Sequence, residues 1–223
     1  MAALEEPQHA LKISSVSSPQ QELVQSFKTI SEMIRDRGQD ASALESMSAD
    51  DLIQAAAGRV IFYIDDSVSG YRIIYDISSR FKFQNIKKML DVSPEDGSDE
   101  AIKHFIIVIR KWAQNASSAS SGAERAIKEM GIDAQFFELK RLQMNISRHF
   151  LVPKHDPMRN EEEIAGVLDK FMLKSRFQLP IIYDKDPMAQ YLALKHGQLV
   201  KITRTSPTSG SHVVYRCCCT RAE

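Results

Sequence analysis

The sequence predicts an α+β fold built from two modules, and three features support that prediction. Residues 19–142 alternate between amphipathic helices and short apolar strands, which is typical of a small layered α/β module. Residues 143–219 contain proline-punctuated loops, one acid-capped helix and several short strands, which favours a small mixed α/β module. Residues 1–18 have few large hydrophobes and much Ser, Gln and Glu, so we expect a disordered tail there, and a short tail at 220–223.

The charge balance restricts the kind of function that the chain can have. Lys and Arg total 29 and Asp and Glu also total 29 in the 223 residues, so the formal net charge is zero. A protein that binds nucleic acid by itself usually has a marked basic excess, so we expect any contact with DNA to be local or shared with basic partners. The sequence has no apolar stretch long enough to cross a bilayer and no run resembling a signal peptide, which favours an intracellular, reducing setting.

The first predicted element is a helix with clear signals at both ends. Ser18 is expected at the N-cap, Pro19 at the first helical position, and Gln21 at the position that completes a capping box. Gly38 predicts the end of the helix. Between these signals an apolar stripe recurs at helical spacing, formed by Leu23, Val24, Phe27, Ile30, Met33 and Ile34.

Strands and helices alternate over the rest of the N-terminal module. Ser48 is expected to cap a short helix that ends near Ala57. The apolar run Phe105–Ile109 predicts a strand that is covered on both faces. The other predicted elements, in order, are strands at 60–64 and 71–77 joined by a hairpin loop at 65–70, a helix at 85–90, a polar loop at 93–100, a flexible Ala/Ser stretch at 115–122, a helix at 123–130 and a closing strand at 135–139.

Two helices are predicted in the C-terminal module from their caps. Glu161–Glu163 fall in the first turn of one helix, where three acids complement its positive end better than they predict a metal cluster. Asp186 and Pro187 form an N-cap and first-position pair that starts a second, short helix, which is expected to end near Gly197. The apolar face of the first helix is predicted to bury Ile164, Val167, Leu168 and Phe171.

Two strands and three cysteines close the chain. Residues 199–204 and 212–216 are expected to form a hairpin, with a turn at 205–211. Cys217–Cys219 follow in an extended segment, where adjacent side chains point to alternate faces and do not converge on one zinc ion. The sequence has no other cysteine, so we expect these three to pack at the end of a strand rather than to bind metal or act in redox chemistry.

No strong catalytic motif is present. The sequence has no Gly-rich phosphate loop and no Gly-x-Ser-x-Gly elbow. His149 and His155 flank Val152 and Pro153, and the proline argues against a shared helical face, so we expect His155 to form a hydrogen bond in a turn rather than to ligate a metal. We therefore predict no catalytic residue, no metal site and no cofactor.

A metal-dependent nuclease is the alternative enzyme hypothesis. Glu138 and Lys140 form an acid-x-Lys triplet on a predicted strand, and Asp65, Asp66 or Asp76 is a candidate second carboxylate. Such clustered carboxylates hold a divalent ion near an activated water. A single triplet is expected by chance in a chain this charged, so the nuclease is the weaker hypothesis.

The C-terminal third carries an ordered series of motifs, namely His149–His155 (HFLVPKH), Gln178–Pro180 (QLP), Asp186–Ala189 (DPMA), Gly197–Arg204 (GQLVKITR) and Thr208–Arg216 (TSGSHVVYR). Together they resemble the assembly module of the fifth shared subunit of eukaryotic nuclear DNA-directed RNA polymerases, a family that also has archaeal members. A weaker similarity runs through Thr29–Gly38, which ends in Asp-Arg-Gly like the first helix of that family, and through Phe105–Ile109.

This resemblance implies a non-catalytic structural subunit of a multisubunit DNA-directed RNA polymerase. The C-terminal module would dock on the largest subunit, and the N-terminal module would form a jaw near downstream duplex DNA. The implied partners are the largest and other polymerase subunits, with indirect or weak DNA contact and no membrane, in the nucleus or its nucleolus. The docking residues that the motifs imply are His149, Val152, Pro153, His155, Pro180, Asp186, Pro187, Gly197, Val200, Lys201, Arg204, Gly210, Tyr215 and Arg216.

The sequence departs from the family pattern at the DNA end. The family has Thr-Pro-Ser-Ala-Lys where this chain has Ser120, Ser121, Gly122, Ala123 and Glu124, so a proline is lost and an acid replaces a lysine. The predicted DNA-proximal loop, Ser120 to Ala123, therefore offers hydroxyl and backbone N–H donors rather than positive charge. These departures indicate a divergent or specialised version of the subunit. A free-standing scaffold that uses the same C-terminal module remains a third hypothesis.

Overall fold

The computed structural model describes residues 18–79, 81–90, 102–111, 116–206 and 210–220, with the backbone alone for 116–121 and 205–206. The fold is α+β with two four-stranded sheets, which confirms the predicted class. Within the described ranges, no helix combines the length and the apolar character that a membrane span requires. The predicted tails at 1–18 and 220–223 lie outside the described residues apart from Ser18 and Thr220, and the predicted polar loop at 93–100 lies wholly outside them.

The first sheet belongs to the N-terminal half of the chain and is mostly parallel. Its strands follow the order β1-β2-β3-β4; β1 is antiparallel to β2, and the other pairs are parallel. The two faces of β3 pack into different apolar clusters, which confirms that this strand is covered on both sides. The strands are β1 (Ile61–Asp66), β2 (Tyr71–Asp76), β3 (His104–Ile109) and β4 (Asp133–Glu138).

The second sheet lies in the C-terminal half. Its strands follow the order β5-β7-β8-β6, with β7 and β8 forming the predicted hairpin and β6 running parallel to β8. The hairpin strands extend further than predicted, because residues 205–206 and 210–211 pair as strand rather than turn. The strands are β5 (Lys154–Pro157), β6 (Ile181–Tyr183), β7 (Leu199–Ser206) and β8 (Gly210–Cys219).

Seven helices accompany the sheets in the described ranges, together with three short 3₁₀ turns. Helix α1 has the predicted capping box between Ser18 and Gln21, and Gly38 follows its end with φ +80°. The capping box of Ser48 on α3 is also present. The helices are α1 (Pro19–Asp36), α2 (Ser42–Ser46), α3 (Ala49–Ala56), α4 (Phe83–Leu90), α5 (Ala116–Glu129), α6 (Glu161–Lys170) and α7 (Pro187–Tyr191).

The prediction that 115–122 is a flexible stretch and that 120–123 lie in a loop was wrong, because α5 starts at Ala116 and includes residues 120–123. Alanine is the best helix former and serine is tolerated, and no proline interrupts the stretch. Ala123 and Ile127, one helical turn apart, are both buried and anchor the helix on the sheet. Ser120 and Ser121 are thus helical, and Gly122 is an exposed helical residue.

Two predictions about the C-terminal helices also need correction. Helix α7 ends at Tyr191 rather than near Gly197, because Ala193 adopts a left-handed conformation with φ +51° that stops the helix. Phe171 does not bury with Ile164 and Val167, because it caps the end of α6, where the chain turns away, and its side chain is 48% exposed.

One hydrophobic core joins the two halves of the molecule. It contains the buried face of α1, the inner faces of β1–β3, and buried side chains of α7, β7 and β8. Ile30 and Ile73 from the N-terminal half and Val200 from the C-terminal half are all completely buried within it. Separate smaller clusters lie under α4 and α5 and under α6. The two sheets are therefore packed on a common core rather than tethered by a loose linker.

Candidate docking surface

The C-terminal half is held against helix α1 by Arg37, which is only 4% exposed. Its Nε donates to the Tyr191 carbonyl at 2.8 Å, and its Nη2 donates to the Gln190 carbonyl at 3.0 Å and to Gln135 Oε1 at 2.7 Å. Burial lowers the pKa of Arg37, because desolvation disfavours the charged form, but a guanidinium stays protonated at neutral pH. One side chain thus connects α1 with α7 and with β4.

Two acids on α1 reinforce this connection. Asp36 accepts a hydrogen bond from the Tyr191 hydroxyl at 2.7 Å, and Glu32 accepts one from Asn145 Nδ2 at 2.6 Å. Burial raises the pKa of Tyr191 to about 12, so its hydroxyl remains a donor at neutral pH. We call Glu32, Asp36 and Arg37 the α1 clasp. In the Asp-Arg-Gly sequence that ends this helix, the aspartate and the arginine therefore join the two halves of the molecule.

The docking residues that the sequence predicted do not form one continuous patch. Val200 is completely buried in the common core, and Tyr215 packs on the separate cluster under α6. Gly197 is buried as well, whereas Arg204 is exposed. The partly exposed members are His149, Val152, Pro153, His155, Asp186, Lys201, Tyr215 and Arg216, and the remaining exposed members are Pro180, Pro187 and Gly210.

Several of these residues shape the module rather than present a surface. Asp186 Oδ1 accepts from the Met188 N–H at 2.9 Å and caps α7, as predicted. Gly197 has φ +80°, a conformation that favours glycine. The hydrogen bond predicted for His155 is present, between its Nδ1 and the Pro153 carbonyl at 2.7 Å, but His155 lies in β5 and not in a turn.

Sequence reasoning missed several exposed hydrophobic side chains of this half. Met172 is 92% exposed and Phe171 48% exposed, directly after α6, while Val213 on β8 is 37% exposed. The ring of Phe171 lies edge-on to Tyr215 with centroids 6.0 Å apart. We call Phe171, Met172, Val213 and Tyr215 the apolar strip. Its only sequence signal is a Phe-Met pair placed just beyond the end of an amphipathic helix.

The carboxylates of the nuclease hypothesis lie at opposite ends of the strands of the first sheet. Asp76 and Glu138 are the last residues of β2 and β4, at one end of the sheet. Asp65 and Asp66 lie at the opposite end, because β1 is antiparallel to β2. Asp65 there forms an ion pair with Arg72. Strand β4 ends at Glu138, and Lys140 follows in the 3₁₀ turn 139–143, so the predicted triplet does not lie on one strand. Asp65 and Asp66 cannot share an ion with Glu138.

The described residues offer neither a metal site nor a reactive thiol pair. They contain no group of three or more His, Cys, Asp or Glu side chains placed to hold a metal ion. Cys217 and Cys218 are completely buried on opposite faces of β8, as expected for adjacent residues in a strand. Burial raises the pKa of each thiol to about 11, which keeps both protonated and unreactive at neutral pH.

Comparison with known proteins matches the C-terminal half to a described family. The sequence model for "RNA polymerase Rpb5, C-terminal domain" matches residues 144–218, which include the complete second sheet apart from Cys219. This match agrees with the resemblance seen in the motifs at 149–216.

Similar proteins extend the match to almost the whole chain. The chain is 30% identical to "DNA-directed RNA polymerases IV and V subunit 5B" of Arabidopsis thaliana, with 94% of each protein covered. It is 29% identical to "DNA-directed RNA polymerases I, II, and III subunit rpabc1" of Dictyostelium discoideum, with 88% of this chain and 96% of that protein covered. It is also 29% identical to "DNA-directed RNA polymerase V subunit 5A" of Arabidopsis thaliana, with 83% of each covered. Because the similarity spans both sheets and nearly the full length of these relatives, the chain belongs to the Rpb5 family of RNA polymerase subunits.

Proposed function

We propose that this protein is a structural subunit of a multisubunit, DNA-directed RNA polymerase in the nucleus, where it takes part in transcription without an active site of its own. The observation that carries this proposal is the full-length similarity to proteins named as polymerase subunits. The division into an N-terminal jaw at 19–142 and a C-terminal assembly module at 143–219 belongs to the same proposal. The family match at 144–218 supports the bounds of the assembly module.

The assembly module docks on the largest polymerase subunit through its exposed apolar residues. The side chain of Met172 is 92% exposed, and moving such an apolar side chain from water into a protein interface is favourable in free energy. The apolar strip supports this role better than the buried members of the predicted set. Residues such as Val200 and Gly197 act indirectly, because they fix the shape of the module.

The jaw presents two exposed basic residues close to the end of strand β3. Arg110 and Lys111 follow β3 and are exposed, and the N-terminal end of α5 begins a few residues later. Basic side chains and the positive end of a helix both attract phosphate. These two residues, rather than Ser120 to Ala123, are the part of the jaw that faces downstream DNA. With a net charge of zero, the contact is weak and depends on the assembled polymerase.

Affinity purification of the full chain from its native cells tests the proposal. We expect the largest polymerase subunit to co-purify in near-equal amount, and a Met172→Asp variant to recover much less of it. A matched control is Met144→Asp, since Met144 is also an exposed methionine, 56% exposed, but lies outside the apolar strip. Recovery of the chain without any large polymerase subunit would refute the proposal, and equal recovery with both variants would place the interface elsewhere.

The DNA part is tested in the assembled polymerase. Replacing Arg110 and Lys111 by Ala removes up to two phosphate contacts, so the salt dependence of DNA retention should weaken by roughly two units of log–log slope. The control is Lys28→Ala, on the exposed side of α1. An unchanged slope would exclude a direct phosphate contact by Arg110 and Lys111, while leaving the subunit role intact.

A further inference from the structure

Strand β8 is longer than the strand that pairs with its outer edge. Cys217–Cys219 pair with β6, but residues 210–216 of β8 pair only with β7 on the other side. The Cys217 N–H donates to the Pro180 carbonyl at 2.9 Å, which shows that odd-numbered residues of β8 point their backbone groups to this outer edge. The N–H and C=O groups of Ser211, Val213 and Tyr215 therefore also point outward.

Pro180 explains why the pairing with β6 stops where it does. In a parallel ladder the next bond along β8 would be donated by the backbone nitrogen of residue 180 to the Tyr215 carbonyl. Proline has no N–H, so this bond cannot form and the ladder ends. In the part of the chain that the structure describes, the backbone groups of Ser211, Val213 and Tyr215 have no partner at this edge. We call residues 211–215 the vacant edge.

The other outer edges of the second sheet offer fewer open backbone groups than this one. Pro157 lies in the edge strand β5, where it supplies no donor. On β6, the Ile181 carbonyl accepts from Arg216 Nη1 at 2.9 Å and the Tyr183 carbonyl accepts from the Asp186 N–H at 2.9 Å. Among the described strands of this sheet, the vacant edge has the longest series of open donors and acceptors, on the three alternate residues Ser211, Val213 and Tyr215.

The surroundings of the vacant edge indicate the chemistry of what covers it. The apolar strip lies beside it, because Val213 and Tyr215 belong to both. Three cations are also near it in the fold, and none forms an ion pair within the described residues; they are Lys170, Arg204 and Arg216. Alternating outward donors and acceptors match an extended backbone, apolar neighbours match apolar side chains, and unpaired cations match carboxylates.

We propose that an extended segment of the largest polymerase subunit, about five residues long with apolar side chains and at least one carboxylate, adds to β8 along the vacant edge as a further strand, in line with β6. This inference rests on the proposed docking function and specifies its form. Main-chain hydrogen bonds hold the segment, and contacts with Phe171 and Met172 select its side chains.

Hydrogen–deuterium exchange on the full chain, free and in the purified polymerase, tests the proposal directly. The amides of Val213 and Tyr215 are expected to exchange at least about 100-fold more slowly in the polymerase, because each gains a backbone acceptor. The amide of Tyr63 is the internal control, since it points to the free outer edge of β1 in the first sheet. Co-purification of the largest subunit without slower exchange at Val213 and Tyr215 would overturn strand addition and leave docking intact. Failure of that subunit to co-purify would instead refute the proposed function.

A proline variant gives a second test. Val213→Pro removes one outward N–H that has no partner in the free chain, so the hairpin should still fold, while recovery of the largest subunit should fall by about tenfold. Val213→Ala shortens the side chain but keeps the N–H, and should retain most of the recovery. Equal losses with both variants would show that the side chain matters and the backbone does not. If the melting temperature shows that Val213→Pro is unfolded, Ser211→Pro probes the same edge nearer the hairpin end.

Discussion

Replacing Arg37 by Ala is expected to destabilise the protein strongly, because Arg37 donates from a buried position to three oxygen acceptors at 3.0 Å or less. The acceptors are the carbonyls of Tyr191 and Gln190 and the side-chain oxygen of Gln135. Hydrogen bonds that involve a charged group contribute about 1.5–3 kcal/mol each, and the recovered hydration of the removed guanidinium offsets part of their loss. We therefore expect the free energy of unfolding to fall by about 3 kcal/mol.

A neighbouring arginine provides the matched control. The side chain of Arg35 is 47% exposed and pairs with Glu45 at the surface, so Arg35→Ala is expected to cost about 0–1 kcal/mol. Arg37→Lys should fall between the two, because one ammonium group keeps the charge but cannot reach three acceptors as a planar guanidinium does.

Thermal unfolding followed by circular dichroism measures these differences. For a protein of this size, about 3 kcal/mol corresponds to a decrease in melting temperature of roughly 6–12 °C. Hydrogen exchange adds a local measure, because the Gln190 and Leu192 amides of α7 should exchange faster in Arg37→Ala than in the parent. Equal melting temperatures for the Arg37→Ala and Arg35→Ala variants would refute the role given to the α1 clasp.

Three further predictions concern α5 and the cysteines. Gly122→Ala should raise the free energy of unfolding by about 0.5–1 kcal/mol in urea titrations, because Gly122 is an exposed helical residue with open space around an added Cβ. Gly131→Ala should lower the free energy of unfolding, because Gly131 has φ +74°, a conformation that strains alanine. At pH 8, a thiol reagent should label Cys219 in the folded chain and reach Cys217 and Cys218 only after unfolding, and rapid labelling of all three would contradict their burial. Folding raises the pKa of Cys217 and Cys218 to about 11 from an ordinary value of 9.0. Their contribution to stability is therefore complete below pH 9 and is lost as the pH rises towards 11. Over that range, the urea midpoint of a Cys217→Ala/Cys218→Ala variant should fall less than that of the parent protein.

Features set by local rules were predictable from the sequence. The ends of α1 follow from a capping box and a glycine, and both strands of the β7–β8 hairpin follow from their apolar patterns. The start of α5 was missed because alanine and serine occur in flexible linkers as well as in helices. Strands β5 and β6 were missed as elements because four and three residues give too short a pattern to recognise.

The surface was the least predictable part of the protein. The motifs at 149–216 identified the family, yet several of the residues they highlighted, such as Val200 and Gly197, are buried. Motif recognition favours residues with special caps, turns or core positions, since those define the module's shape. Exposure depends on which elements pack together in three dimensions, so Met172 and the vacant edge became visible only in the structure.

The common core has a consequence for how the two modules would work together. The segment that joins the sheets is fixed to helix α1. The 3₁₀ turn 139–143 packs on α1, and Gln143 Nε2 donates to the Glu22 carbonyl at 3.0 Å. The α1 clasp fixes the same two halves at a second point, on α7. A body held at several separated points cannot rotate about any one of them. A partner strand bound at β8 would therefore set both the position of the C-terminal module and the direction in which Arg110 and Lys111 point. Weakening the α1 clasp should accordingly reduce DNA retention even where docking is unchanged.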